Sequence, residues 1–475
     1  MKKYIVFLLP LFIVISCGKG PETVIVKSGA SDLFTPSDSV FTQADTSADD
    51  FVHVKLGEIA PIESLDPLFA SSNSEWRIID LVYDGLISID ENGNISPALA
   101  QRWTANNNST QFTFNLKTDV HFHDSPVFES GVGRKFVASD VKYIFERMAD
   151  NDVPDLTANQ FKNIRGFSSF HNEQTYVKDP ARRVISSIEG IQVRNDSTVV
   201  FNLSESSPEF LELLAHPMAS IYPKESVPPS NGPIQLAAGT GPFQFIQKEG
   251  NTHLLTVYED HFESIPDINR LDIVSGLNEK DLFQQFAKNT IDAIIEVGPE
   301  TMVTIADSSG NLLQSYYQDY TLQQSPAFSE YEFYYNKNSG QAGQTNRFIS
   351  SIEDTSLIPS PALGTISTNR VDTTSAENSD GSGFVITHTQ HPFELFLLDD
   401  LAPIANQMDI SFSMNPSYAI SDETTFSTRL FPDTQKFMTW KTPIYILNHN
   451  SVSGITLGQN PWSLDVSDLT INRTN

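Results

Sequence analysis

Hydrophobic and polar residues alternate along FVHVKLGEI, residues 51–59, the period-2 pattern of a half-buried strand. Leu65-Asp66-Pro67 breaks that pattern, after which Asn73 or Ser74 is placed to cap a helix whose apolar face is Trp76, Ile79, Leu81, Val82 and Leu86. Asp90 to Asn94 reads as a turn. Short strands are predicted in TQFTFNLK (110–117) and TVVFNL (198–203). Between them VASDVKYIFERM (137–148) has the spacing of an amphipathic helix that begins near Ser139. Strand and helix alternate irregularly, which favours an α/β fold over an all-β sandwich. A polar stretch from Thr365 to Gly383, TISTNRVDTTSAENSDGSG, reads as a loop within the globular part.

The amino terminus has a different pattern. Lys2 and Lys3 precede an apolar run from Tyr4 to Ile15, interrupted only by Pro10, that ends in Ser16-Cys17-Gly18. About 12 apolar residues are too few for the ~20 that span a bilayer, and the positive start and small-residue end fit a secretory signal over residues 1–16. Ser16-Cys17-Gly18 resembles the lipobox of bacterial lipoproteins, in which cleavage leaves the cysteine as a lipid-carrying amino terminus. The alternative, a buried core cysteine, requires this segment to be part of the fold. Cys17 is the only cysteine among 475 residues, so a lipidated Cys17 leaves no thiol for a disulfide. Residues 17–50 are rich in Ser, Thr, Asp and Ala and read as a flexible tether, spanning on the order of 30 Å.

Length allows two or three domains, and 39% hydrophobic with 11% aromatic residues is enough for sizeable cores. The formal net charge of −29 argues against a nucleic-acid partner, since phosphate backbones are held by clustered Lys and Arg. The same acidity hints at a cationic solute, although the tether contributes part of it.

Several separated stretches, in order, carry a resemblance. LDPLFASSNSEWRIIDLVYDGLISIDENGNISPALAQRW, FTFNLKTDVHFHDSPVF, GRKFVASDVKYIFERM and GTGPFQF, with KNTIDAIIEV, YYNKNSG and NRFISSIED more weakly, resemble the family 5 extracellular solute-binding proteins, the dipeptide- and oligopeptide-binding group. The resemblance implies a two-lobed periplasmic-binding-protein fold of type II that closes on a ligand and hands it to an ABC permease. It implies lobe one from 51–88, 219–299 and a return segment 433–475, an inserted subdomain at 89–218, and lobe two at 300–432. Lobe two is shorter than the family's usual one, lacking a helical stretch where Thr365 to Phe384 runs. A monomer with no cofactor and no metal, acting on a peptide or similar small solute, is what such a protein would be; a degenerate member serving signalling or protein contact, or a hydrolase on this scaffold, are the rival readings.

Site residues follow from the same resemblance. Gly239-Thr240-Gly241-Pro242-Phe243 matches the family's cleft-lining turn, with Thr240, Gly241 and Phe243 as contacts; the bland reading is a turn joining insert to lobe. Phe69, Ser72 and Trp76 stand around the start of the first helix, where free N–H groups suit an anion such as a peptide carboxylate, or simply form a cap. In DISFSMNPSYAISDETTFSTRLF (409–431) the family places an aspartate against the ligand's ammonium. Aligning TFSTRLF puts that position near Ala419, leaving Tyr418 and Asp422 as candidates and peptide specificity open.

Other chemistry is thinly marked. His121 and His123 in VHFHD share a strand face and so suit a metal, but the segment is structural in the family. HExxH, GxSxG and Walker A sequences are absent, and Gly131, Gly133 and Arg134 lack the Gly-Lys-Ser/Thr ending of a phosphate loop. His391, His449 and Asp399-Asp400 sit in no spacing that assembles a nucleophile, base and oxyanion donors. If Cys17 is the anchor, Cys17→Ala shifts the protein from the membrane fraction to the soluble fraction on cell fractionation; unchanged partitioning would refute the lipid anchor.

Overall fold

The computed structural model describes residues 52–90, 92–336, 342–353, 361–370, 384–388, 391–407, 412–416 and 434–472. β1 (His53–Glu58) alternates only over its first half, where Val54 and Leu56 are fully buried and His53 and Lys55 partly exposed. At its carboxyl end Gly57, Glu58 and Ile59 are all buried, unlike a half-buried strand. The reason is position: β1 has a parallel neighbour on each side in the interior of the main sheet. α1 (Asn73–Val82) is capped ahead of both expected positions, Asn73 and Ser74, by Ser72, whose Oγ accepts from the Glu75 N–H at 3.3 Å. Leu86 falls beyond its end, and burial runs around most of the helix, Glu75 and Arg77 included, so no simple apolar face exists.

The hairpin of β2 (Ile87–Ile89) and β3 (Ile95–Pro97) is closed at Asp90, whose carboxylate accepts from the Asn92 and Asn94 N–H groups. A separate antiparallel sheet follows, of β4 (Ala100–Ala105), β5 (Gln111–Leu116), β6 (Ile191–Asn195) and β7 (Thr198–Asn202), ordered β4-β5-β7-β6. Between β5 and β6 run α2 (Ala138–Met148), α3 (Asp155–Gln160) and α4 (Phe167–Tyr176). Asp140 closes the start of α2 by accepting from the Val137 N–H at 3.0 Å, and Val141, Ile144, Phe145 and Met148 turn to the core.

α5 (Phe210–Ala215) leads into β8 (Phe243–Glu249), β9 (Thr252–Val257), β10 (Arg270–Val274), α6 (Glu279–Ala287), β11 (Ala293–Ile295) and α7 (Pro299–Ile305). Then come β12 (Tyr320–Asn336), α8 (Ala342–Glu353), β13 (Thr365–Thr368), β14 (Phe384–His388), α9 (Pro392–Gln407), β15 (Phe412–Pro416) and β16 (Thr434–His449). The short strands β17 (Val452–Ser453), β18 (Thr456–Leu457), β19 (Leu464–Asp465) and β20 (Thr470–Ile471) end the described chain. The main sheet is ordered β12-β16-β11-β1-β10-β9-β8, with β13 also on β16. Thr365–Thr368, expected within a loop, is therefore a strand, paired antiparallel with Met438–Lys441. Its β-branched run of Thr and Ile suits a strand once β16 offers an open edge.

β12 and β16 stay paired from Tyr320↔His449 to Asn336↔Thr434. They thereby run from a core made with α6 and α7, where Leu322 and Leu447 pack, to another made with α8 and α9, where Tyr331, Phe348, Phe393, Leu397 and Trp440 meet. The largest core joins α1, the main sheet and the four-stranded sheet.

Three motifs far apart in sequence meet at the end of α1. The His123 N–H donates to Gly239 O, the Gly241 N–H donates to Val82 O at 3.0 Å, and His123 Nε2 lies 2.8 Å from Gly241 O. A Cβ on Gly239 would lie 1.8 Å from Val82 O, and one on Gly241 2.7 Å from Leu81 O, so both positions exclude any side chain. A second lock uses Asp66 of the Leu-Asp-Pro break. Its carboxylate takes two bonds from Arg147 of α2, at 2.6 and 3.0 Å, and accepts from the Leu68 and Ile234 N–H groups; Arg147 also donates to the Tyr222 hydroxyl. Both partners are fully buried. Arg147→Met is expected to cost about 3–5 kcal/mol because Asp66 keeps a buried, unpaired charge, whereas Lys117→Met, breaking the exposed pair with Glu263, should cost less than about 1 kcal/mol; urea unfolding distinguishes them.

Candidate functional site

In an open sheet, ligands are met outside the carboxyl ends of parallel strands. Here those ends carry Glu58, the last residue of β1, and Glu296, which directly follows β11. Arg77 of α1 reaches both, with Nη2 2.7 Å from Glu58 Oε2 and 2.9 Å from Glu296 Oε2, and all three side chains are buried. Ser74 Oγ donates to Glu58 at 2.8 Å, Ser329 Oγ of β12 donates to Glu296 at 2.7 Å, and Arg77 Nη1 donates to Pro461 O at 2.7 Å. Burial raises Glu58 more than Arg77 and Ser74 lower it. For Glu296 burial is outweighed by Arg77, His391 and Ser329, so its carboxyl stays below the ordinary range. Arg77 stays charged: burial opposes it, but the two carboxylates hold its pKa above the usual value. Glu296 adopts φ +60°, a left-handed conformation uncommon outside glycine. Beside it His391 is buried, and Nδ1 lies 3.1 Å from the Tyr331 hydroxyl.

The expected contacts at the start of α1 are now placed. Phe69 is partly buried beneath the Arg147 guanidinium, 5.6 Å from it. Ser72 caps the helix, and Glu75 fills the space in front: Oε1 accepts from the Glu63 and Ser64 N–H groups, Oε2 from the Ser71 N–H at 2.7 Å. The chain's own carboxylate thus takes up donors around the helix start. Trp76 is 3% exposed and packs edge-on to His216 at 4.9 Å and near Trp462 at 6.4 Å. Thr240 and Phe243 are fully buried; the Thr240 hydroxyl donates to Asp84 Oδ2 at 2.7 Å, while Phe243 belongs to the largest core. Gly241 meets the end of α1, as described. Cys17, the tether, Tyr418 and Asp422 lie outside the described residues. His121 is exposed and His123 buried, and among the described residues no group of three His, Cys, Asp or Glu side chains is arranged to hold a metal ion.

One feature escaped the sequence reading. A cleft of about 570 Å³ opens at the far end of α1, lined among others by Asp80, Tyr83, Asp84, Pro242, His261 and Trp462. Asp80 lies in the last turn of α1 and Asp84 just beyond its end, and two carboxylates crowded around one helix terminus were the legible signal.

The main sheet, its two parallel pairs around β1 and the polar floor at their ends define an α/β fold of the periplasmic-binding-protein type. Solved structures share this fold: the binding protein AgaA of A. tumefaciens in complex with agropinic acid (14% identity, 89% of this chain and 99% of that one, TM-score 0.68), and DppA of Helicobacter pylori in complex with the peptide STSA (13%, 90% and 99%, 0.63). Residues 94–344, over half the chain, match the family described as bacterial extracellular solute-binding proteins, family 5 Middle, and the chain belongs to that family. Curated relatives include di/tripeptide-binding protein 1 of Pseudomonas aeruginosa (30% identical over 173 residues, 35% of this chain and 29% of that protein). The periplasmic oligopeptide-binding protein OppA of Salmonella typhimurium is 28% identical over 168 residues (35% and 28%), and heme-binding protein A of Haemophilus influenzae 25% over 246 (50% and 42%). The matches thus span less than half the length of each of these relatives. No helix among the described residues is long and apolar enough to cross a membrane.

Burial pushes His391 down to about 4, with Glu296 opposing and Arg77 adding to the effect. Its pKa in the unfolded chain is about 6.5, so the contribution of neutral His391 is fully present above that value and is lost as pH falls through the folded pKa. His123 and His253 are lowered alike, chiefly by burial. Urea-unfolding free energies are expected to fall from pH 6.5 to 4, and His391→Gln should flatten the slope by up to about 1.4 kcal/mol per pH unit.

Proposed function

We propose that this chain is the substrate-binding component of an ABC transporter, capturing a peptide or similar small solute between two lobes and delivering it to a permease. The family match across residues 94–344 carries this reading. Lobe one is assigned to 51–88, 219–299 and 433–475, the inserted subdomain to 89–218, and a short lobe two to 300–432. The β12 and β16 pair, running from the α6–α7 core to the α8–α9 core, suits the strands about which lobes hinge. A hinge of this kind closes only by the contacts that the ligand adds across the cleft. Phe69, Ser72, Tyr418 and Asp422 are the proposed ligand contacts. Trp76, Thr240, Gly241 and Phe243 act by holding α1 and its flanking turns in place. The protein works as a monomer without enzymatic activity, tethered by lipid at Cys17 and facing the periplasm or cell exterior.

Expressed from Gly18 and purified gently, the protein is expected to carry a co-purified solute in native mass spectrometry, and the radius of gyration in solution scattering should fall on saturation with peptide. An empty protein that shows no thermal shift across a di- and tripeptide library would overturn peptide capture. An unchanged scattering curve at saturating ligand would leave binding intact and remove hinge closure.

A further inference from the structure

The cleft at the carboxyl end of α1 has a chemistry that the lobe-closing reading does not use. Neither it nor an adjoining hollow of about 340 Å³, which shares Ile89, His216 and Trp462 with it, is lined by any lysine or arginine. Some of its carboxylates are already engaged: Glu263 pairs with Lys117 at 2.9 Å, Asp90 closes the β2–β3 turn, and Asp84 accepts from Thr240. Asp80 has no hydrogen-bond partner among the described residues, and its carboxyl is pushed up to about 7, by burial first and then by Asp84. Three costs coincide at this residue: desolvation, the like charge of nearby Asp84, and the negative end of the helix dipole.

A second observation is independent of the acidic pair. The His261 side chain is 5% exposed, lines the cleft 3.9 Å from Asp84, and has no hydrogen-bond partner on either ring nitrogen. Buried polar atoms are ordinarily satisfied, and these sit around a hollow large enough for a small molecule.

We propose that this cleft binds a small organic cation, an aliphatic amine, with its ammonium between Asp80 and Asp84 and its carbon chain along Trp462, Leu457 and Ile87. The lining without cationic side chains excludes an anion. A bare metal ion fits poorly, because no three ligating side chains converge among the described residues and the volume far exceeds an ion. An ammonium would remove the charge conflict and offer a donor to His261, and the half-exposed Trp462 ring supplies a cation–π wall. α1 is 10 residues long, so the cleft stands about 15 Å from Ser72 at 1.5 Å per residue. The amine site is therefore separate from the peptide contacts proposed at the start of α1.

The test is calorimetry and thermal shift on the protein expressed from Gly18, with n-butylamine and 1,4-diaminobutane as probes and NaCl and MgCl2 at matched ionic strength as controls. Both amines are expected to bind and raise the Tm beyond the salts. Asp80→Asn should weaken amine binding at least tenfold while raising the ligand-free Tm, a pairing that a purely structural aspartate would not give. Ser88→Lys, which delivers an ammonium into the same cleft, should abolish amine binding. The proposal is overturned if the amines shift the Tm no more than NaCl, if Mg2+ competes them away, or if both variants bind amines as the parent does. Peptide-induced compaction in solution scattering, unchanged in Asp80→Asn, would separate this site from the lobe cleft.

Discussion

Arg77, held between Glu58 and Glu296, is the constraint on which the rest of the structure leans. One guanidinium joins the helix α1 to the ends of both parallel strands, while its remaining donor holds the chain at Pro461, over 380 residues further on. Such a group contributes little net stability over a hydrophobic substitute, but it permits one arrangement only, since any slip would bury an unpaired charge. The left-handed backbone at Glu296 is consistent with that role, because strain of this kind persists where the surroundings over-determine a residue. Ser329 extends the constraint to β12, and through β12 to the second core.

The two ends of α1 have opposite characters. At its start, Ser72 and Glu75 satisfy donors with the chain's own oxygens, producing a rigid edge beside the buried floor. At its end, the Val82 carbonyl accepts from Gly241 of the glycine turn, which the His123 segment holds in turn, yet the side chains of Asp80 and Asp84 are left facing a hollow. A helix that is locked at both ends and unsatisfied at one is a place where local rules are broken without an internal compensation, and such places mark function rather than stability.

The glycine turn shows how a motif can be legible while its reason is not. Gly239 and Gly241 stand out in the chain as positions where a backbone must come close to something, and a ligand is the natural suggestion. The close partner is instead the last turn of α1, with Thr240 and Phe243 turned inward. Likewise His123 looked paired with His121 along one strand, but only His123 is buried, against Gly241 O. The β13 segment was hidden for a different reason: a short polar strand has no apolar face of its own and exists because β16 presents an edge.

What the amino-acid sequence determined by itself was everything set by local spacing and order: the α/β character, the helices at 73–82 and 138–148, the strands at 53–58, 111–116 and 198–202, and the family through its ordered motifs. Periodicity and turn chemistry act within a few residues, so they can be read without the fold. Only the tertiary structure decided which charges are brought together. Glu58, Arg77 and Glu296 span 238 positions, and Asp80, Asp84 and His261 span 181, in an acidic chain where any one carboxylate looks like a solvated surface group. Their meaning comes from desolvation and distance, and those are properties of packing rather than of sequence neighbourhood.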